Sequence, residues 1–426
     1  MWTDPWTDPW TDASTTRVPR APKPYDKLLR LTLKSLAAYW TTAMPEVYGE
    51  PYEPLAGGIY AYTENSTMPP CGGVALPYVF VQQNAFYCPE SDFIAWDDEQ
   101  LFPRLESRYG PFLLSVVLAH EWGHAIQKRA GLSDLDGLTL EQQADCFAGA
   151  WSGALQRSKD PELAALRDRH LDRSLAGFVE IRDRLGMTGD DLGAHGTAFD
   201  RIRAFQDGVE NGAQACKRYE DSLPTLVAVP YRSFKERFRG GNLPYETVLA
   251  SMSSRIDEFW SSTLGATESV VLRQEEGVAF CSARLVSPQG FSDGGLAWCA
   301  DDGTLYYSDT AMRRTYESLG DFAVATELAL TRALAHEARS GFDPYRKATW
   351  LRAICTVGAW TGSMYEPDHP EKSVLSPGDV DEGVQILLAS ANTRAEQFFG
   401  SGFQQVASFR VGVLGSVRDC GSPVSS

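Results

Sequence analysis

The sequence predicts an α+β fold, mostly helical with a small β-sheet edge, laid down twice in tandem. Two stretches with helical patterning, near residues 110–130 and 139–155, supply the helical part. A cysteine and Gly-Ala-Trp pattern that recurs in the second half supplies the duplication. The strand part rests on the stretch Asn84 to Asp98, taken up below.

The chain has 426 residues, a length that suits two domains of ordinary size. Hydrophobic residues make up 43% and aromatic residues 11%, enough for each half to bury a core. The net charge of -17 repels phosphate backbones and argues against nucleic acid as a partner. No transmembrane segment is expected, since the longest apolar run, "FLLSVVLA" from Phe112, is far too short to span a bilayer. No secretory signal is read at the N-terminus either. The chain opens instead on "MWTDPWTDPWTDASTT", a Trp-Thr-Asp-Pro repeat set apart from the fold.

The first patterned stretch is "YGPFLLSVVLAHEWGHAIQKRAG". Pro111 sits where a first-turn proline is tolerated, Lys128 and Arg129 suit the C-terminal end of the helix dipole, and Gly131 suits the position just past it. Leu114, Val117, Leu118 and Ile126 recur at helical spacing. His120 and His124 therefore stand one turn apart on one face, the arrangement two imidazoles need to hold a zinc ion. Glu121 is adjacent and suits a general base. A second helix is expected to begin near Thr139, with Thr139 and Gln142 as a capping box. It carries Glu141 as third metal ligand. Asp145 follows one turn later and can orient a ligand histidine. Cys146 points roughly 140° around the helix from Glu141, away from the metal and toward a disulfide.

The second half echoes the first. "DCFAGAWSGAL" from Asp145 matches "ICTVGAWTGSM" from Ile354, and "GTAFDRIRAFQDG" from Gly196 matches "GSGFQQVASFRVG" from Gly400. The cysteines Cys71, Cys88, Cys146 and Cys216 are separated by 17, 58 and 70 residues; Cys281, Cys299, Cys355 and Cys420 by 18, 56 and 65. Eight cysteines alone allow 105 pairings. A pattern shared by both copies leaves three. The favoured one joins Cys71–Cys88, Cys146–Cys216, Cys281–Cys299 and Cys355–Cys420. Disulfides imply an oxidising, extracytoplasmic compartment. The expected organisation is a tail over 1–24, a first domain over 25–220, a linker over 221–243, a second copy over 244–420 and a C-terminal tail over 421–426.

"LAHEWGHAIQ", "EQQADCFAGAW" and "HGTAFDRIRAFQDG", closed by Cys216, resemble the neutral zinc metallopeptidase family of bacteria. The resemblance runs from about Trp40 to Cys216. It implies a gluzincin-like peptidase domain with one zinc per chain, ligands His120, His124 and Glu141, base Glu121 and support from Asp145. "NAFYCPESDFIAWDD" resembles the family's strand segment, so Asn84, Ala85 and Phe86 are expected on a substrate-binding edge strand. The family's His-Gly-Ser/Thr segment falls on His195, which makes His195 the candidate for stabilising the oxyanion, with Arg201 the weaker one. The expected activity is cleavage of peptide or protein substrates. A zinc hydrolase of non-peptide amides or esters, and a silent binding scaffold, are the rival readings.

The second copy departs from the pattern. Aligned without gaps, Leu328 to Gly341 overlies Leu118 to Gly131. Leu330 and Leu334 then stand where the histidines were, Thr331 where the base was, and Trp350 and Ile354 replace Glu141 and Asp145. The His336-Glu337 pair lies six residues from the motif position, and the metal centre is expected to have become packed core.

Overall fold

The structure, a computed structural model, describes residues 22–421 apart from 67, 160–168, 190, 192, 267–270, 276–284, 287–294, 301 and 392–398. The N-terminal repeat, Cys281 and residues 422–426 lie outside the described residues. The fold is α+β and mostly helical. It separates into two compact units, Met1–Gly177 with Ala204–Pro224, and Phe178–Arg203 with Thr225–Ser426. The division thus differs from the sequence boundary, since residues 178–203 pack with the second unit. The stretch read as linker is also built into that unit. Its apolar "LVAV" buries Val227, Ala228 and Val229, and Phe234–Phe238 forms a short helix.

The first unit opens on helix α1 (Asp26–Tyr48). Strands β1 (Gly58–Tyr62), β2 (Ala85–Cys88) and β3 (Phe93–Asp97) make one sheet in the order β1-β3-β2. Central β3 runs parallel to β1 and antiparallel to β2. All five β3 residues are buried, as a strand covered on both faces requires. β2 is left at the edge. Helix α2 (Tyr78–Val81) precedes it, and helix α3 (Leu101–Tyr109) follows β3.

Helix α4 (Pro111–Arg129) is the core of this unit. It is buried on nearly every side, which its long apolar run from Phe112 permits. It packs against α1, α3, β2 and helix α5 (Gly137–Arg157). Proline stands at its first position, and Gly131 beyond its end takes φ +73, a left-handed conformation open to glycine. Arg129 closes on Asp92 at 3.1 Å and ties this end of α4 to the β2–β3 loop. The start of α5 corrects the expected capping box. The helix begins at Gly137, and Asp136 is the cap, accepting from the Thr139 backbone N–H at 2.9 Å and from the Thr139 hydroxyl at 2.6 Å. An aspartate one residue outside the helix reaches the free N–H better than a threonine already inside it.

Two disulfides lie in this unit, Cys71–Cys88 and Cys146–Cys216. The second joins α5 to helix α6 (Ala213–Lys217). Gly149 of α5 meets the backbone of Phe205, and Gly208 meets that of Cys146. A Cβ on either would come within 1.9 Å of a carbonyl oxygen.

The second unit carries its own sheet: Val271–Gln274, Leu285–Val286, Leu296–Cys299 and Thr304–Tyr307. The first of these strands runs parallel to the last, and Leu296–Cys299 runs antiparallel to it. Helices Asp309–Leu319, Asp321–Arg339, Lys347–Gly362, Asp379–Ala391 and Gly402–Leu414 follow. Cys355 pairs with Cys420, and Cys299 is disulfide-bonded. Among the described residues no cysteine is free. Gly358 and Gly412 are crossing glycines here, each bringing a would-be Cβ within 2.1 Å of a carbonyl oxygen on the facing helix. No described helix is long and apolar enough to cross a membrane.

Candidate metal centre

The first unit brings together the two ends of a pattern that the sequence holds apart by 17 residues, from His124 to Glu141. α4 supplies His120 and His124 from one face, and α5 supplies Glu141 and Asp145 from the face turned toward it. Gly123, between the histidines, lets the two helices approach. A Cβ there would lie 2.9 Å from Ala144 Cα.

The two imidazoles point their Nε2 atoms at each other, 3.2 Å apart. The Glu141 carboxylate meets both, with Oε2 at 3.1 Å from His120 Nε2 and Oε1 at 3.5 Å from His124 Nε2. One donor atom from each of the three lies within 4.8 Å of the others. On the far side of His120, Nδ1 stands 2.8 Å from Asp145 Oδ1. The carboxylate only accepts, so Nδ1 carries a proton toward Asp145 and Nε2 is the nitrogen turned toward Glu141 and His124. Burial pulls His120 down, but the charges of Asp145 and Glu141 outweigh it and lift the imidazole to about 10. His124 is raised likewise, with burial opposed by Glu141. Glu141 feels the reverse: burial raises it, and the two histidines hold it below the usual carboxylate range. Two imidazoles and a carboxylate converging from two facing helices are a donor set that suits zinc.

Glu121 is buried beside this cluster at 7% exposure. Its charge reaches Tyr62, whose hydroxyl is pushed up by burial, by Asp97 and Tyr78, and by Glu121. Tyr62 donates to the carbonyl of Asn84 at 2.9 Å. Through Tyr62 the start of edge strand β2 is thus linked to the neighbourhood of Glu121. The residues that sequence reading missed are Tyr62, Gln127 and Gln143. Gln127 follows His124 by three positions on the same face, a spacing that could have revealed it.

His195 and Arg201 belong to the other unit by packing. His195 Nδ1 lies 3.2 Å from Asp183 Oδ1, and its backbone N–H also goes to Asp183. Arg201 is buried, donates to the Ile181 carbonyl at 2.6 Å and lies over the Phe178 ring. Its guanidinium is used in packing. In the second unit, Leu330, Leu334, Thr331, Trp350 and Ile354 are all buried. Glu337, from the pair that resembles a metal motif, instead holds Arg352 Nε at 2.8 Å.

Fold and site together define a class: a mostly helical α+β unit in which two histidines and one glutamate from consecutive helices form a cluster that could hold a metal ion. Residues 59–219 match the model of the family described as "Putative neutral zinc metallopeptidase". An uncharacterized protein of Mycobacterium tuberculosis is 30% identical over 152 residues, covering 30% of this chain and 52% of that protein. The uncharacterized protein YpfJ of Escherichia coli is 27% identical over 158 residues, 32% of this chain and 55% of its own. The chain thus spans about half the length of the curated relatives it matches. No solved structure matches.

Proposed function

We propose that the first unit is an extracytoplasmic zinc-dependent endopeptidase. The observation that carries this reading is the convergence of His120 Nε2, His124 Nε2 and the Glu141 carboxylate, with the His120 proton held outward by Asp145. His120, His124 and Glu141 would hold one zinc ion. Bound there, zinc would lower the pKa of water and polarise a scissile carbonyl. Glu121 takes the proton of the attacking water and returns it to the leaving amine. Asn84, Ala85 and Phe86 hold the peptide as an added strand on the open edge of β2. The disulfides and the expected oxidising compartment agree with a place outside the cytoplasm.

The second unit reads as a non-catalytic copy of the first. Three features support this. Its sheet repeats the parallel and antiparallel pairing, its crossing helices repeat the glycine contacts, and Cys355–Cys420 repeats Cys146–Cys216. Glu121→Gln tests the peptidase reading. The variant keeps its zinc and loses activity on a peptide library by about 10²–10⁴-fold, the usual worth of a general base. Wild-type turnover in that variant would sink the mechanism.

A further inference from the structure

The two histidines are oriented by different chemistry, and this difference assigns a role to residues outside the zinc motif. His120 has a carboxylate behind it. His124 Nδ1 instead lies 2.8 Å from Gln127 Oε1, a neutral amide. An amide can present either end, so something must decide which end faces the ring. Here the decision is forced from further back. Gln127 Nε2 lies 2.7 Å from the carbonyl of Leu140, which only accepts. The nitrogen must therefore point there, which leaves Oε1 for the imidazole. The same nitrogen donates to Gln143 Oε1 at 3.0 Å. Gln143 is fixed in turn, because its own nitrogen faces the Cys216 carbonyl at 3.3 Å and Glu220 Oε1 at 3.1 Å.

We infer that Gln127 and Gln143 are positioning residues: a one-way amide relay, anchored on the backbone beside the Cys146–Cys216 disulfide, that fixes His124 with its proton on Nδ1 and its lone pair on Nε2. Gln127 is 3% exposed and Gln143 0%, so water does not compete for these bonds. The relay carries direction without charge. Asp145, Glu141 and Glu121 already place three carboxylates around the site, and a fourth behind His124 would be a further buried charge to compensate. The anchor explains why the relay is rigid. α5, which carries Gln143, is joined through Cys146 to the helix bearing Cys216, whose carbonyl ends the relay.

The inference rests on the metal-centre reading above, and its test separates the two. Zinc affinity is measured by competition with a chromophoric chelator for wild type, Gln127→Met and Gln127→Glu, with melting of the metal-free proteins as the folding control. Gln127→Met has similar bulk but no acceptor, and should bind zinc about 10–100-fold more weakly. Gln127→Glu restores the acceptor but loses the donor taken by the Leu140 carbonyl and Gln143 Oε1, so it should recover part of that loss. In the zinc-loaded protein, NMR should show a protected Nδ1–H proton on His124 in wild type and lose it in Gln127→Met. Gln127→Met with wild-type affinity, or Gln127→Glu as weak as Gln127→Met, overturns the relay. If metal-free Gln127→Met melts far below wild type, Gln143→Met takes its place: weaker zinc binding supports the relay and wild-type affinity overturns it. A wild type that binds no zinc overturns the metallopeptidase reading and the relay together.

Discussion

Glu327 is a fully buried carboxyl group on the helix Asp321–Arg339 of the second unit. Burial pushes it up to about 8, against a smaller opposing pull from Thr315. Between its ordinary value of 4.5 and about 8, the folded protein keeps a proton that the unfolded chain releases. Its contribution to stability therefore falls as pH rises through that window. Glu327→Gln removes the titration and keeps the shape. The melting temperature of wild type should decline from pH 5 to 8 more steeply than that of the variant, and parallel curves would refute the assignment. Residues of this kind were not legible in the sequence, where a glutamate between Thr326 and Leu328 looks like any helix-surface acid. By contrast, His120, Glu121, His124, Glu141 and Asp145 were legible, because helical spacing alone puts His120 with His124, and Glu141 with Asp145, on one face. Their orienting partners were not. Gln127 acts only through Leu140 and Gln143, which belong to another helix.

At the scale of elements, the close approach of α4 and α5 decides whether the ligands meet. Gly123 is the contact point, since any side chain there runs into Ala144 at 2.9 Å. Gly123→Ala should force the two helices apart. Overpacking of this kind costs about 1–3 kcal/mol. The expected result is weaker zinc binding together with a lower melting temperature, read by chelator competition and thermal unfolding; unchanged zinc affinity would show that the approach is not what assembles the site. The helices themselves were readable from proline, basic residues and glycine at their ends. The cap of α5 was not, because Asp136 and Thr139 are both good capping residues and only the backbone path shows which lies outside the helix. The edge position of β2 was likewise out of reach of local pattern. It follows from β1 pairing with the far side of β3, between segments well separated in the chain.

Over the whole molecule, the chain pairs a unit that carries a cluster able to hold a metal ion with a unit in which Leu330, Leu334 and Trp350, which the sequence alignment sets opposite its ligands, are all buried. Elemental analysis should find one zinc per chain, falling to none in His120→Ala with His124→Ala. Two zinc ions per chain, or one retained by the double variant, would contradict this distribution. The sequence by itself determined the mostly helical α+β class and the face-sharing of His120 with His124 and of Glu141 with Asp145, because these depend on local spacing; it narrowed the cysteine pairing to three patterns, and the favoured one matches Cys71–Cys88, Cys146–Cys216 and Cys355–Cys420. Only the tertiary structure decided that residues 178–203, with His195 and Arg201, pack with the second unit. It alone showed the amide relay behind His124 and the burial of Val227 to Val229 in a stretch that reads as linker. The physical reason is common to all three. Periodicity reports which residues of one element share a face, whereas the partner of that face is chosen by packing between segments far apart in the chain.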